Sequence, residues 1–149
     1  MLRDLPLMHL DEQLSPWREQ LYLRPRAGWL RAIREALGMT VRQFAKAAKV
    51  APSTAQAAER AEAKGDISLS TLTRYAEVLG CELRYILVPV KPLQEIVEQR
   101  AEAIARAEIG AVRHSMALED QATGQEQMER QVAELRRKLL EGPRSRLWM

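Results

Sequence analysis

Between residues 40 and 60 the sequence sets small, apolar and basic side chains at the intervals required by two short helices joined by a tight turn. Such a pair holds its second helix out from the domain surface, and the major groove of DNA is wide enough to admit it. Close crossing needs a small residue in the first helix, which Ala45 supplies, with Phe44, Ala48, Val50, Ala55 and Ala58 as apolar anchors around it. The chemistry on offer there is polar recognition. Gln56 can bond N6 and N7 of one adenine together, Ala57 can touch a thymine methyl, and Ser53 or Thr54 can serve a phosphate or a base edge. Arg42, Lys46 and Lys49 suit phosphate oxygens.

Elsewhere the residue types that catalyse are present without their partners. Cys81 is the only cysteine and His9 and His114 the only histidines, so neither a disulfide nor a Cys/His metal set is expected. His114 and Ser115 are helix neighbours about 100° apart and do not face one another, which is no hydrolase arrangement. No Gly-rich phosphate loop occurs. The sequence thus predicts no enzyme, no cofactor and no metal.

Charge is segregated along the chain. Residues 24–91 carry twelve basic against six acidic side chains, whereas the flanks are acidic on balance although the whole chain is +3. The basic part is the candidate for a polyanion and the acidic part for a different partner. The longest apolar run, residues 86–90, is far too short for a membrane span, and an early Asp4 and Pro6 spoil a signal peptide. A cytoplasmic protein is expected.

The elements that position these residues read mainly as helix. A short helix is expected over 14–21, with Ser15 as cap and Pro16 in its first turn, within an N-terminal arm. Leu30, Ile33, Arg34 and Leu37 mark a helix over 27–37 that stops at Gly38. Thr40 and Gln43 form a capping-box signature for the next helix, which runs to about Ala48. Pro52 opens a third helix on which Ala55, Ala58 and Glu59 share a face, and Ser68 caps a fourth that ends at Gly80. Residues 81–88 are rich in β-formers and stop at Pro89, so a strand is expected. Its partner is residues 21–23, residues 146–148 or, most simply, the same strand of a second copy through Leu83, Tyr85, Ile86, Leu87 and Val88. Pro92 then opens a long helix, a loop is expected at Thr123-Gly124, and Met128, Val132, Leu135 and Leu139 stripe a last helix up to Gly142-Pro143.

The pattern from Thr40 to Arg60 resembles the helix-turn-helix of the phage-repressor, or Xre, type over residues 27–80, a fold of about five helices whose third reads DNA. The resemblance implies that Ser53, Thr54, Gln56, Ala57 and Arg60 point outward from that helix, with Thr40, Arg42 and Gln43 near the start of the one before. Two departures stand out: the turn residue, usually Gly, is Lys49, and the inner-face positions usually filled by larger aliphatics are Ala55 and Ala58. A wider set of segments, including Trp29-Leu30-Arg31-Ala32-Ile33-Arg34, residues 114–121 and Gly142-Pro143-Arg144-Ser145-Arg146-Leu147-Trp148, resembles the mobile mystery protein A family. That resemblance implies an Xre-type regulator borne on mobile elements and paired with a Fic-domain protein as a toxin–antitoxin module. Fic enzymes transfer AMP from ATP, and their inhibitory helix is similar to Ser115-x-x-x-Glu119, although Asp120 stands where that motif has Gly or Asn.

The reading is therefore a mainly α chain in four parts: arm 1–26, DNA-binding domain 27–80, dimerisation strand 81–89 and helical partner-binding extension 90–149. The function expected is a homodimeric repressor of its own operon that also inhibits a Fic-type partner through Ser115 and Glu119. Two alternatives stand beside it: an interaction protein that only inhibits the partner, and a plain Xre-type repressor without a toxin.

Overall fold

The computed structural model describes residues 5–20, 23–115 and 121–149, with the side chains of 115 and 121–123 outside the description. The chain divides into two compact units, one of residues 21–87 and one of 1–20 with 88–149.

In the unit 21–87, short-range signals place four helices: α2 (Trp29–Ala36), α3 (Val41–Ala48), α4 (Pro52–Lys64) and α5 (Leu69–Val78). The capping box forms as expected, the Thr40 hydroxyl accepting from the Gln43 N–H and the Gln43 carboxamide oxygen accepting from the Thr40 N–H. Pro52 sits at the first position of α4, where its missing N–H is not needed, and the Ser68 hydroxyl caps α5. Leu30, Phe44, Ala45, Ala55, Ala58, Tyr75 and Leu79 make one core, with the Phe44 and Tyr75 rings 5.6 Å apart and tilted by 55°. Ala48 and Val50 pack at its edge.

Two expectations are not met within the described residues. The unit holds the four helices read from its residues, and the fifth that the resemblance implies is not seen among them. Residues 81–89 belong to no helix and no ladder, and there is no strand among the described residues. A strand exists only by hydrogen bonding to another, and the internal candidates do not provide one: residues 21–22 lie outside the described residues and Arg144–Trp148 is a 3-10 helix.

The other unit is built on an antiparallel pair, α6 (Leu93–Ser115) and α7 (Gln121–Glu141). Glu98 meets Arg136 and Arg106 meets Glu129, which fixes the direction. Val97, Ala101 and Leu147 form its core, joined by Leu7, Ile104, Leu139 and Leu140. Thr123 and Gly124, expected in a loop, lie inside α7. The N-terminal helix α1 spans Leu5–Arg18 rather than 14–21, so Pro16 falls in its last turns instead of its first. Asp11 holds it in place by accepting the N–H groups of Leu93 (2.6 Å) and Gln94 (3.0 Å) at the start of α6. The C-terminal 3-10 turn is fastened likewise, Arg100 Nε donating to the Leu147 carbonyl at 2.7 Å.

Candidate nucleic-acid interface

A reading helix needs an inner face that seats it and an outer face left to solvent. Along α3 and α4 the two are cleanly separated. Phe44, Ala45, Ala55, Ala58, Glu59 and Glu62 are buried, whereas Thr40, Arg42, Gln43, Lys46, Lys49, Ser53, Thr54, Gln56, Ala57 and Arg60 are all exposed. The only two acids of α4 are thus turned inward, and α3 contains none.

The turn between the helices closes by Lys49 N–H to the Lys46 carbonyl and Val50 N–H to the Ala45 carbonyl. It requires a left-handed residue, and Lys49 adopts φ 57°, ψ 42°, the only positive φ outside glycine among the described residues. Holding a lysine there costs about 1 kcal/mol. The same conformation presents an exposed ammonium beside the start of α4.

Small anchors at Ala55 and Ala58 leave α4 little apolar area to bury, and ionic contacts make up the seating. Arg34 of α2 donates Nε and Nη2 to the two oxygens of Glu59, at 2.5 and 3.2 Å, and Nη1 to the Met39 carbonyl at 2.8 Å. Both side chains are nearly inaccessible. The hydrogen bond to Glu59 raises the Arg34 pKa further above its ordinary value, against the opposing effect of burial. One guanidinium thereby ties together α2, the α2–α3 turn and α4.

A second carboxylate acts one turn further along. Glu62, also buried, receives Arg24 Nη2 at 3.4 Å and the Leu30 N–H at 3.4 Å, so it satisfies the N-terminus of α2 where Gly28 offers no side-chain cap. Arg24 also donates to the Glu62 carbonyl. Gly28 has φ 82°, and a Cβ there would lie 1.9 Å from Glu62 Oε2, so glycine is needed on two counts. These positioning residues were not foreseen. The signal for one pair was present, because Arg34 and Glu59 occupy inward positions of otherwise apolar helical stripes.

The side chains expected to meet DNA differ in what they have free. Gln43 Oε1 accepts both the N–H (2.8 Å) and the hydroxyl (3.0 Å) of Thr40, leaving only its Nε2 to donate outward. Gln56 makes no hydrogen bond among the described residues and keeps both ends of its amide. It lines a cleft of about 450 Å³ together with Arg31, Arg34, Glu59 and Arg60. Arg31, itself bonded to Glu35 at 2.8 Å, is a basic neighbour of the reading helix that the sequence did not single out.

The remaining predicted residues lie apart. Of the dimerisation set, Leu83 and Val88 are half-buried, while Tyr85, Ile86 and Leu87 are exposed. Ser115 ends α6 with its side chain undescribed, and Glu119 lies outside the described residues. Cys81 is half-buried, its thiol 3.6 Å from the Leu79 carbonyl. No group of three or more His, Cys, Asp or Glu that could hold a metal occurs among the described residues. No described helix is long and apolar enough to cross a membrane.

Residues 30–86 match the family model described as Helix-turn-helix. The match spans α2 to α5 and most of the segment that follows, and it supports a DNA-binding regulator of the Xre type. No curated protein and no solved structure matches the chain.

Proposed function

We propose that this protein is a homodimeric, sequence-specific DNA-binding repressor that controls its own operon and serves as the antitoxin of a Fic-type AMP-transferase. The DNA-binding part is carried by one observation: every side chain expected to meet DNA is exposed, while those alternating with them are buried in the seat of α4. In this reading Gln56 is the principal base reader, since of the two glutamines only it retains donor and acceptor together for an adenine edge. Gln43 donates its free Nε2 to a phosphate oxygen or a purine acceptor. Arg42, Lys46, Lys49 and Arg60 neutralise phosphates, and Ser53, Thr54 and Ala57 complete the contact near the start of α4.

The antitoxin part rests on the resemblance to the mobile mystery protein A family. It assigns the unit containing α6 and α7 to the partner enzyme, with Ser115 and Glu119 as the inhibitory pair, and places the protein in the cytoplasm without catalytic activity of its own. The reading in which the helix-turn-helix is a relic drew its motive from Ala55 and Ala58. Those residues are 0% and 9% exposed, backed by the Arg34–Glu59 pair, and so favour a seated reading helix.

The test is fluorescence anisotropy of the full chain with DNA from just upstream of its gene and with random DNA, at two salt concentrations, with and without the adjacent Fic-domain protein. Preferential, salt-sensitive binding of the upstream fragment that changes on adding the partner supports the proposal. Equal weak affinity for both DNAs contradicts the repressor, and the absence of any complex with the partner contradicts the antitoxin.

A further inference from the structure

The segment after α5 has the character of a strand that lacks its neighbour. Beyond the Cys81 N–H, bonded to the Ala76 carbonyl, residues 82–91 make no backbone–backbone hydrogen bond among the described residues, and residues 81–89 lie in no helix. In sequence the odd-numbered positions are apolar, and Glu82 and Arg84 alternate with them. Glu82 and Arg84 pair at 3.1 Å and are exposed, while Cys81 and Leu83 are half-buried, and all four border an apolar groove of about 280 Å³ with Trp29, Ile33, Leu72 and Leu79. Tyr85 and Leu87 continue the apolar odd-numbered positions but are 72% and 83% exposed. The odd-numbered apolar residues are therefore half-covered up to Leu83 and bare at Tyr85 and Leu87.

We infer that the occupant is the same segment of a second copy, paired antiparallel about a two-fold axis at Tyr85, so that Leu87 of each copy lies against Leu83 of the other beside its groove. This rests on the homodimer proposed above and specifies its contact. A two-fold axis perpendicular to a sheet keeps every side chain on its own face, so residues of like parity pair and the axis must pass at a residue. Four positions are open, Leu83, Arg84, Tyr85 and Ile86. An axis at Arg84 sets two guanidiniums opposite each other. One at Leu83 leaves Leu87 outside the ribbon, and one at Ile86 puts Pro89, which has no N–H, opposite Leu83. The axis at Tyr85 is the midpoint of residues 81–89, leaves Pro89 at the ribbon's end opposite Cys81, whose N–H is already bonded to the Ala76 carbonyl, and matches apolar with apolar at the odd-numbered positions.

Geometry makes the register directly readable. Residues facing at the axis have Cα atoms about 4.5–5.5 Å apart, within disulfide reach, whereas residue 86 of the two copies would stand about 8 Å apart, beyond it. In a full-length Cys81→Ser background, Tyr85→Cys is expected to give a near-quantitative disulfide-linked dimer under mild oxidation, and Arg84→Cys and Ile86→Cys little. Sedimentation of Leu87→Asp should show dimerisation weakened at least about tenfold with unchanged helix content, because the residue is solvent-exposed in the single chain. A dimer that cross-links at 84 or 86 but not at 85 overturns the register while leaving the homodimer standing. A dimer that Leu87→Asp leaves intact and that links at none of the three overturns the strand contact. A chain monomeric at all concentrations overturns the homodimer itself.

Discussion

The guanidinium of Arg34 and the carboxylate of Glu59 lie face to face inside the DNA-binding unit, twenty-five positions apart in sequence and 2.5 and 3.2 Å apart at their two contacts. Through this pair the reading helix is held by geometry rather than by apolar bulk. Breaking one side strands a buried charge, which typically costs about 3–5 kcal/mol. Glu59→Gln and Arg34→Met are each expected to lower stability by that order in urea denaturation. The double variant Arg34→Met/Glu59→Leu should recover most of it, since no charge is left unpaired. A single variant as stable as the parent would contradict the pair's role.

Lys49 separates two properties that a surface lysine usually confounds. Lys49→Gly relieves the left-handed strain and should stabilise the domain by up to about 1 kcal/mol. The same change removes the phosphate contact proposed for Lys49 and should reduce the slope of log affinity against log salt by about 1. Denaturation and anisotropy on the one variant check both, and the two effects are expected to run in opposite directions.

At Gly28 neither the backbone nor the space admits a side chain. Gly28→Ala combines a positive φ with a Cβ 1.9 Å from Glu62 Oε2, so the carboxylate must leave the N-terminus of α2. At φ 82° and ψ 165° the backbone is in a region essentially reserved to glycine, and that alone costs another residue about 1–3 kcal/mol. A thermal melt should show a loss larger than that. Ala substituted at Gly65, also at positive φ but with open space around it, should lose only the backbone part.

Asp11 gives the other unit an acid-sensitive fastening. Burial pushes its pKa up, but the Leu93 and Gln94 N–H groups and Arg18 outweigh this and hold it below the ordinary 3.8. A depressed folded pKa means stability fully present above 3.8 and lost as pH falls through the folded value. Asp11→Asn should therefore be less stable than the parent at neutral pH, with the difference closing as pH falls from 3.8 through the lowered folded value. Thermal melts from pH 7 to pH 2 measure it.

What was legible in the sequence was local. The Thr40/Gln43 box, Pro52 at a helix start, the Ser68 cap and the left-handed turn at Lys49 each depend on residues within one helical turn, and the structure has them all. What was not legible depends on distant partners. Asp11 serves α6 from 82 positions away and so extends order back to Leu5, and Glu62 reaches Leu30 across 32. Thr123 and Gly124 have loop composition yet lie within α7, which pairs with α6 along its length. The β-formers of residues 81–88 are sound as a pattern, but no sequence pattern supplies the second strand that would make them a ladder.

The central claim is that the exposed face of α4 reads DNA sequence, and Gln56 tests it most directly. Affinity of the parent and of Gln56→Ala is measured by anisotropy for the upstream fragment and for random DNA at one salt concentration. The account predicts that the variant loses about 1–3 kcal/mol on the upstream DNA and almost nothing on random DNA, so the specificity ratio falls. An unchanged ratio would contradict the claim.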